Sequence, residues 1–311
     1  MRTLRASLRP LRTELLGVAG LTALLLLAAG GIAARLLTYG IPAECFELVN
    51  GESTCPTYLH AVYEYQSFAG NFGGSIAVFA TMLPAIAGVI LGIAAVAKEL
   101  DQHTAVLAWS VDASRRHWLL QRVLPLLGVI VLLGLGGPKL VEALMRLASP
   151  GQDLVAAQDF DSIADVGLGP LASGVSAFGI SIVIGAMLGR LLPALLAAAV
   201  FVIFARWLIQ QGNGRLMSGE SLGAEIGQVG AGHQIDSVGR TPDGRIIGWG
   251  EAFPDYADLN TGQLLPGVTE LVRYVPIEIY PQVAARYVLF HLIVGFAALT
   301  LAFAVVDRRS P

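Results

Sequence analysis

Few residues in this chain stand where chemistry could use them. Cys45 and Cys55 lie ten positions apart on one polar segment. Facing an oxidising compartment they would pair as a disulfide; facing a reducing one they remain two thiols. Arg206 and His291 are ionisable groups inside apolar runs, the first functional suspects in a membrane. Interface anchoring or a helix–helix hydrogen bond is the plainer account of each, and Arg286, nearer a run's end, snorkels. Neither lysine, Lys98 or Lys139, follows a glycine, and no G-x-x-x-x-G-K-[ST] occurs. The chain therefore has no phosphate-cradling loop of that kind and is not expected to hydrolyse ATP itself. H-E-x-x-H, G-x-S-x-G and any Cys–His cluster of metal-ligand spacing are also absent from the sequence. The expectation is a chain that is no enzyme by itself and binds no cofactor, metal or nucleic acid.

The stretch Lys98 to Trp118, KELDQHTAVLAWSVDASRRHW, is of another kind. Read as a helix, it sets Leu100, Leu107 and Val111 near one face, with Val106 and Trp109 beside them. Glu99, Asp101, Gln102 and His103 crowd its first turns, and Arg115, Arg116 and Arg122 follow. An amphipathic segment with acid first and base last suits docking better than catalysis. A solvated loop between two spans is the plain alternative.

Composition says what must position these residues. Of 311 residues, 55% are hydrophobic and only 14% charged, against about 25% in soluble domains. With a mean hydropathy of +0.66, the chain reads as a polytopic membrane protein. Apolar runs at about 15–37, 72–97, 118–137, 168–188, 191–210 and 284–306 give six spans, each long enough for a hydrocarbon core of roughly 30 Å. The first is longer than a secretory signal core, so a retained span is expected there. Arg2, Arg5, Arg9 and Arg12 share one face of an amphipathic lead-in over residues 1–13. Pro84 is expected to kink the second span. The third is expected to end at Gly137, with Lys139, Glu142 and Arg146 on a short interfacial helix beyond it. Residues 211–283 form a glycine-rich polar block too poor in aliphatics for a large core, with a turn at TPDGR and a re-entrant piece around Leu264 to Ile279.

Six spans put both ends on one side. Eleven of the 20 lysines and arginines fall on that side against five acids, net +6, while the remainder sums to −9. By the positive-inside rule the terminal side is cytoplasmic. The cysteine loop and the 211–283 block are then outside, where the disulfide is favoured. No acid lies in the middle of any expected span, which disfavours a proton-coupled carrier.

The Lys98–Trp118 stretch resembles the permease subunits of type-2 ATP-binding cassette (ABC) exporters, particularly an actinobacterial branch. There a span is followed by a pattern like R-E-x-E-x-G-T-x-x-L-A-W-T-x-x-x-x-R-x-R-W-L. Lys98-Glu99, Thr104, Leu107-Ala108-Trp109 and Arg115-Arg116-His117-Trp118-Leu119 match it, with nine positions from Trp109 to Trp118. His103 stands where the pattern has glycine, and Ser110 where it has a second threonine. The run GAMLGRLLPALLAAAVFVIFARWLI is similar to that branch's fourth-to-fifth span hairpin, and the ending from Ile279 to its last span; residues 211–283 carry no resemblance.

The resemblance implies an all-α polytopic membrane protein of the bacterial plasma membrane. Six transmembrane helices would have both termini cytoplasmic, with a small extracellular α+β or irregular cap between the fifth and sixth spans. Residues 1–210 hold five spans, 211–283 the cap, and 284–311 the last span and tail. It further implies a half-transporter that pairs with a second permease half, the same chain or a related one, in membrane lipid. Two separate ABC ATPase subunits would carry ATP and Mg. A coupling helix at 99–109 would dock one of them through Glu99, His103, Thr104, Leu107 and Trp109, with Arg115 and Arg116 following. The family's export path lies along the second and fifth spans, which assigns Phe79, Met82, Phe201 and Phe204 to it. A hydrophobic or amphipathic cargo, such as a drug, antibiotic, peptide or lipid, suits such a path. The competing expectation is a non-transporting receptor or sensor that uses the 211–283 segment.

Overall fold

The apolar runs fold as six helices, each long and apolar enough to cross a membrane. The computed structural model describes residues 11–46, 48–49, 52–53, 55–104, 114–148, 165–217, 222–225, 232–248 and 268–308. Helix α1 is Arg12–Leu37, α2 the short Leu59–Phe68, and α3 Gly74–Asp101. Then come α4 at Arg115–Ala148, α5 at Gly169–Leu188, α6 at Leu191–Met217 and α7 at Tyr280–Arg308. This mostly helical chain fits a polytopic membrane protein. The expected lead-in helix falls largely outside the described residues.

The chain divides into two units, one of Met1–Gln158, Ser162–Ala205 and Tyr287–Pro311, the other mainly Arg206–Arg286. In the first, α3 and α5 form the centre because small residues let their backbones meet. A Cβ added at Gly88 would lie 2.7 Å from the carbonyl oxygen of Gly174, and one at Gly92 would lie 2.8 Å from that of Phe178. Gly174 lies in turn against Pro84, which sits buried within an uninterrupted α3. Helix α4 approaches α5 where Gly134 meets Leu171, and α7 approaches it where Gly179 faces Gly295. Leu91, Leu119, Leu126, Ile130, Phe178 and Ile182 are among the large side chains buried completely between these helices. Helix α6 adds Ala194 and Ala198 against Ala85, Val89, Ile93 and Ala97 of α3.

The outer surface is apolar as well. Leu24 and Leu27 of α1, Leu192, Leu196 and Ile203 of α6, and Ile293 and Phe296 of α7 are all exposed. An exterior of this kind belongs in lipid or against partner helices, not in water.

Two helices run further than their apolar stretches. α4 passes through Pro138 and continues to Ala148 instead of breaking after Gly137. On its exposed side Lys139 and Arg146 both bond Glu142, at 2.7 and 2.6 Å, while Val141 and Leu144 are buried opposite. The second span is helical from Pro56, with the π-helical turn Ala69–Gly73 joining α2 to α3. Beside α2, Cys45 and Cys55 are disulfide-bonded, closing a loop that holds the two-residue strands β1 (Leu48–Val49) and β2 (Glu52–Ser53). Leu36, Cys45, Phe46, Val62 and Tyr65 make a small core there, and the Tyr65 hydroxyl donates to the carbonyl of Leu147. These contacts join the far ends of α1, α2 and α4.

The second unit contains β3 (Leu222–Glu225), β4 (Gly232–Arg240), β5 (Ile246–Gly248) and β6 (Thr269–Pro276). They form one sheet in the order β3-β6-β4-β5, with every neighbouring pair antiparallel. The expected turn at 241–245 joins β4 to β5. Gly244 has φ +84°, and the Thr241 hydroxyl accepts the Arg245 amide at 3.1 Å. Hydrogen bonding to that hydroxyl, partly opposed by desolvation, holds the exposed Asp243 carboxyl below its usual pKa. The re-entrant piece expected around 264–279 is corrected. Its described part holds strand β6, which fills the sheet's interior and buries Val272 and Val275. Ladder bonds to β3 and β4 satisfy the backbone that a re-entrant coil would have left open.

Candidate functional site

The polar residues that flank the apolar runs converge at one end of the first unit. Three of the last four residues of α3 each reach a different helix. Lys98 Nζ donates to Glu14 Oε1 of α1 at 2.7 Å and to Thr13 Oγ1 at 3.3 Å. Asp101 Oδ2 accepts the backbone N–H of Leu191 at 3.4 Å, placing a carboxylate at the N-terminus of α6 where the helix dipole favours it. Glu99, between them, turns inward and pairs with Arg122 of α4.

That central pair is the most deeply enclosed charge in the first unit's described part, each residue only 6% exposed. The Arg122 guanidinium also reaches the Ala95 carbonyl at 3.4 Å and lies over the Trp118 ring, 4.5 Å from its centre. Two contacts thus tie Arg122 to α3 and one to its own helix. One oxygen of Glu99 is engaged; the other, Oε2, has no hydrogen-bond partner among the described residues. Burial without pairing would cost several kcal/mol, so the two charges hold each other in place.

Beyond Asp101 the chain turns. His103 has φ +56°, the only non-glycine residue with positive φ among the described ones, and donates its amide to the Leu100 carbonyl at 3.2 Å. Thr104 returns its hydroxyl to the Glu99 carbonyl at 3.4 Å. Residues 105–113, with Leu107 and Trp109, lie outside the described residues. The chain re-enters at Ser114, whose Oγ accepts the His117 amide at 3.1 Å and so caps α4. Arg116 then bonds Asp307 Oδ2 through Nε and Nη2, at 3.0 and 2.7 Å, and Arg115 reaches the Asp307 carbonyl at 3.1 Å. Both flanks of the 105–113 segment are therefore fixed to the bundle.

The expected coupling residues divide accordingly. His103 and Thr104 are exposed at the exit from α3, and Arg116 is exposed while bonded to α7. Glu99 faces inward. Of the residues assigned to an export path, Phe79 and Met82 lie on α3 and Phe201 and Phe204 on α6, two helices in contact through their alanines. Both phenylalanines of α6 and Phe79 are exposed in the single chain. His291 is buried on α7, its Nδ1 3.1 Å from the Tyr287 carbonyl and its ring stacked at a tilt on Tyr287. Arg206 is half-buried on α6. Among the described residues no group of His, Cys, Asp and Glu is arranged to hold a metal.

Sequence reasoning missed the links of Arg122, Glu14 and Asp307. The available signal was the sign of charge at each span end: Lys98 against Glu14, Glu99 against Arg122, Arg116 against Asp307. Counted by side, these charges report topology; taken in pairs, they report packing.

Residues 15–212 match the model of the family described as ABC-2 membrane transporter related. The chain belongs to this family. The match takes in nearly all of α1, the whole of α2 to α5 and most of α6, together with the segment between α3 and α4. No curated protein and no solved structure matches the chain. Family membership and six membrane-competent helices make it a multi-pass membrane protein of the ABC-2 permease type. Permeases of this type work with an ABC ATPase.

Proposed function

We propose that the chain is the transmembrane permease subunit of an ATP-driven exporter in a bacterial plasma membrane, with both termini cytoplasmic. It moves a hydrophobic or amphipathic compound outward. A second permease half pairs with it, and two ATPase subunits supply ATP hydrolysis with Mg. The observation that carries the reading is the anchoring of residues 104–114 on both flanks, in a chain of this family. Flanks fixed at Thr104 and Ser114 pass a push from a docked protein directly into α3 and α4.

Glu99 to Asp101 complete α3, and Glu99 faces Arg122. On this reading the docking segment follows them, with His103, Thr104, Leu107 and Trp109 meeting the ATPase. Arg115 and Arg116 support it from the start of α4. Phe79, Met82, Phe201 and Phe204 line the route, on helices whose exposed faces the second permease half covers. The test is purification of the tagged chain from native membranes. An ATPase subunit is expected with the wild type and not with the Leu107→Asp/Trp109→Asp variant, insertion being equal. Association unchanged by the two aspartates would sink the docking assignment.

The four-stranded sheet in residues 222–276 favours a second reading, a receptor or sensor that binds its ligand there. A wild-type chain that recovers no ATPase would select it.

A further inference from the structure

We infer that Glu99 and Arg122 are positioning residues that make α3 and α4 move as one body when the 104–114 segment is displaced; this rests on the permease reading above. Thr104, the first residue beyond the turn, bonds the carbonyl of Glu99, so displacement of the segment is felt first at that residue. The Glu99 side chain passes it to Arg122, seven positions into α4. Lys98 and Asp101 carry the same turn to α1 and α6. Stability alone is a poor reason for the central pair. Replacing a buried ion pair by apolar residues of similar volume is commonly neutral or stabilising, so packing would have been served as well by leucine and methionine. What the charges add is a directed, short-range link between two helices whose shared core is otherwise apolar, with Leu91 and Ala95 on α3 and Leu119, Val123 and Leu126 on α4.

Deletion and transposition of the pair separate linkage from packing. The reporter is Val78→Cys, exposed on α3 far along the helix from the pair; the native cysteines are bonded to each other. Maleimide labelling is measured on the complex with its copurified ATPase, without nucleotide and trapped with MgATP and vanadate. With the native pair, trapping is expected to change the labelling rate at least about threefold. Glu99→Leu/Arg122→Met should retain the ATPase and its hydrolysis while labelling becomes independent of nucleotide. Glu99→Arg/Arg122→Glu, which restores opposite charges, should recover the response. A nucleotide response in the Leu/Met variant equal to that of the native pair overturns the inference, as does a transposed pair that assembles and stays unresponsive. A native chain with no ATPase bound would overturn the permease reading instead, so the two failures are distinguishable.

Discussion

Gly88 of α3 lies so close to Gly174 of α5 that a Cβ on the first would sit 2.7 Å from the carbonyl oxygen of the second. Neither backbone can retreat without parting the two most buried helices. Gly88→Ala should therefore destabilise the chain by about 1–3 kcal/mol, the usual cost of overpacking. Gly128→Ala supplies the contrast, because nothing lies within 4 Å of a Cβ there. It should be neutral or raise stability by up to about 1 kcal/mol through helix propensity. Thermal unfolding in one detergent measures both, and equal losses would show that the α3–α5 contact is looser than described.

His103 occupies the left-handed region at φ +56°, a position where the permease pattern that this stretch resembles has glycine. A side chain here bears the strain of a turn that glycine would adopt freely. His103→Gly should stabilise by about 0.5–1 kcal/mol, the left-handed penalty less the greater chain entropy of glycine. His103→Val, branched at Cβ, should destabilise. A lower melting temperature for the glycine variant would mean that the imidazole makes a compensating contact.

The ion pairs at this end differ in burial, and their energies should follow. Arg116 and Asp307 expose 70% and 38% of their side chains, whereas Arg122 and Glu99 expose 7% and 8%. Asp307→Asn should cost no more than about 1 kcal/mol and lose even that at high salt. Glu99→Ala strands a buried guanidinium and should cost about 3–5 kcal/mol, with little dependence on salt. Unfolding at low and at molar salt separates the two, and a strong salt dependence for Glu99→Ala would contradict its burial.

How much of this was legible depends on the range over which residues act. The six apolar helices could be read because hydropathy is local and each run is uniform. The helical extension past Pro138 could not, because its end is held from afar: Leu147 and Ala148 pack against the core around Leu36 and Tyr65, and Tyr65 bonds the Leu147 carbonyl. In the second unit β6 joins residues such as Tyr274 to Leu222 and Gln234. Such pairing leaves almost no local pattern in a glycine-rich block. The Glu99–Arg122 link was hidden for a different reason. Charges at the ends of spans also serve to orient them, and that role alone accounts for an arginine at position 122.

The disulfide offers the last prediction. Cys45 is buried beside Phe46 and Tyr65, whose rings meet edge to face at 4.9 Å, and the Tyr65 hydroxyl holds Leu147 at the end of α4. Closing a loop of ten residues stabilises by about 2–3 kcal/mol. Reduction should therefore loosen this end first: hydrogen exchange in 56–68 should rise while amides at 85–97, in the α3–α5 contact, remain protected. Tyr65→Phe with the disulfide intact should show a smaller rise in the same segment, consistent with about 1 kcal/mol for one hydrogen bond. Exchange rising equally in 56–68 and 85–97 after reduction would mean that the disulfide-bonded cluster and the α3–α5 core unfold together.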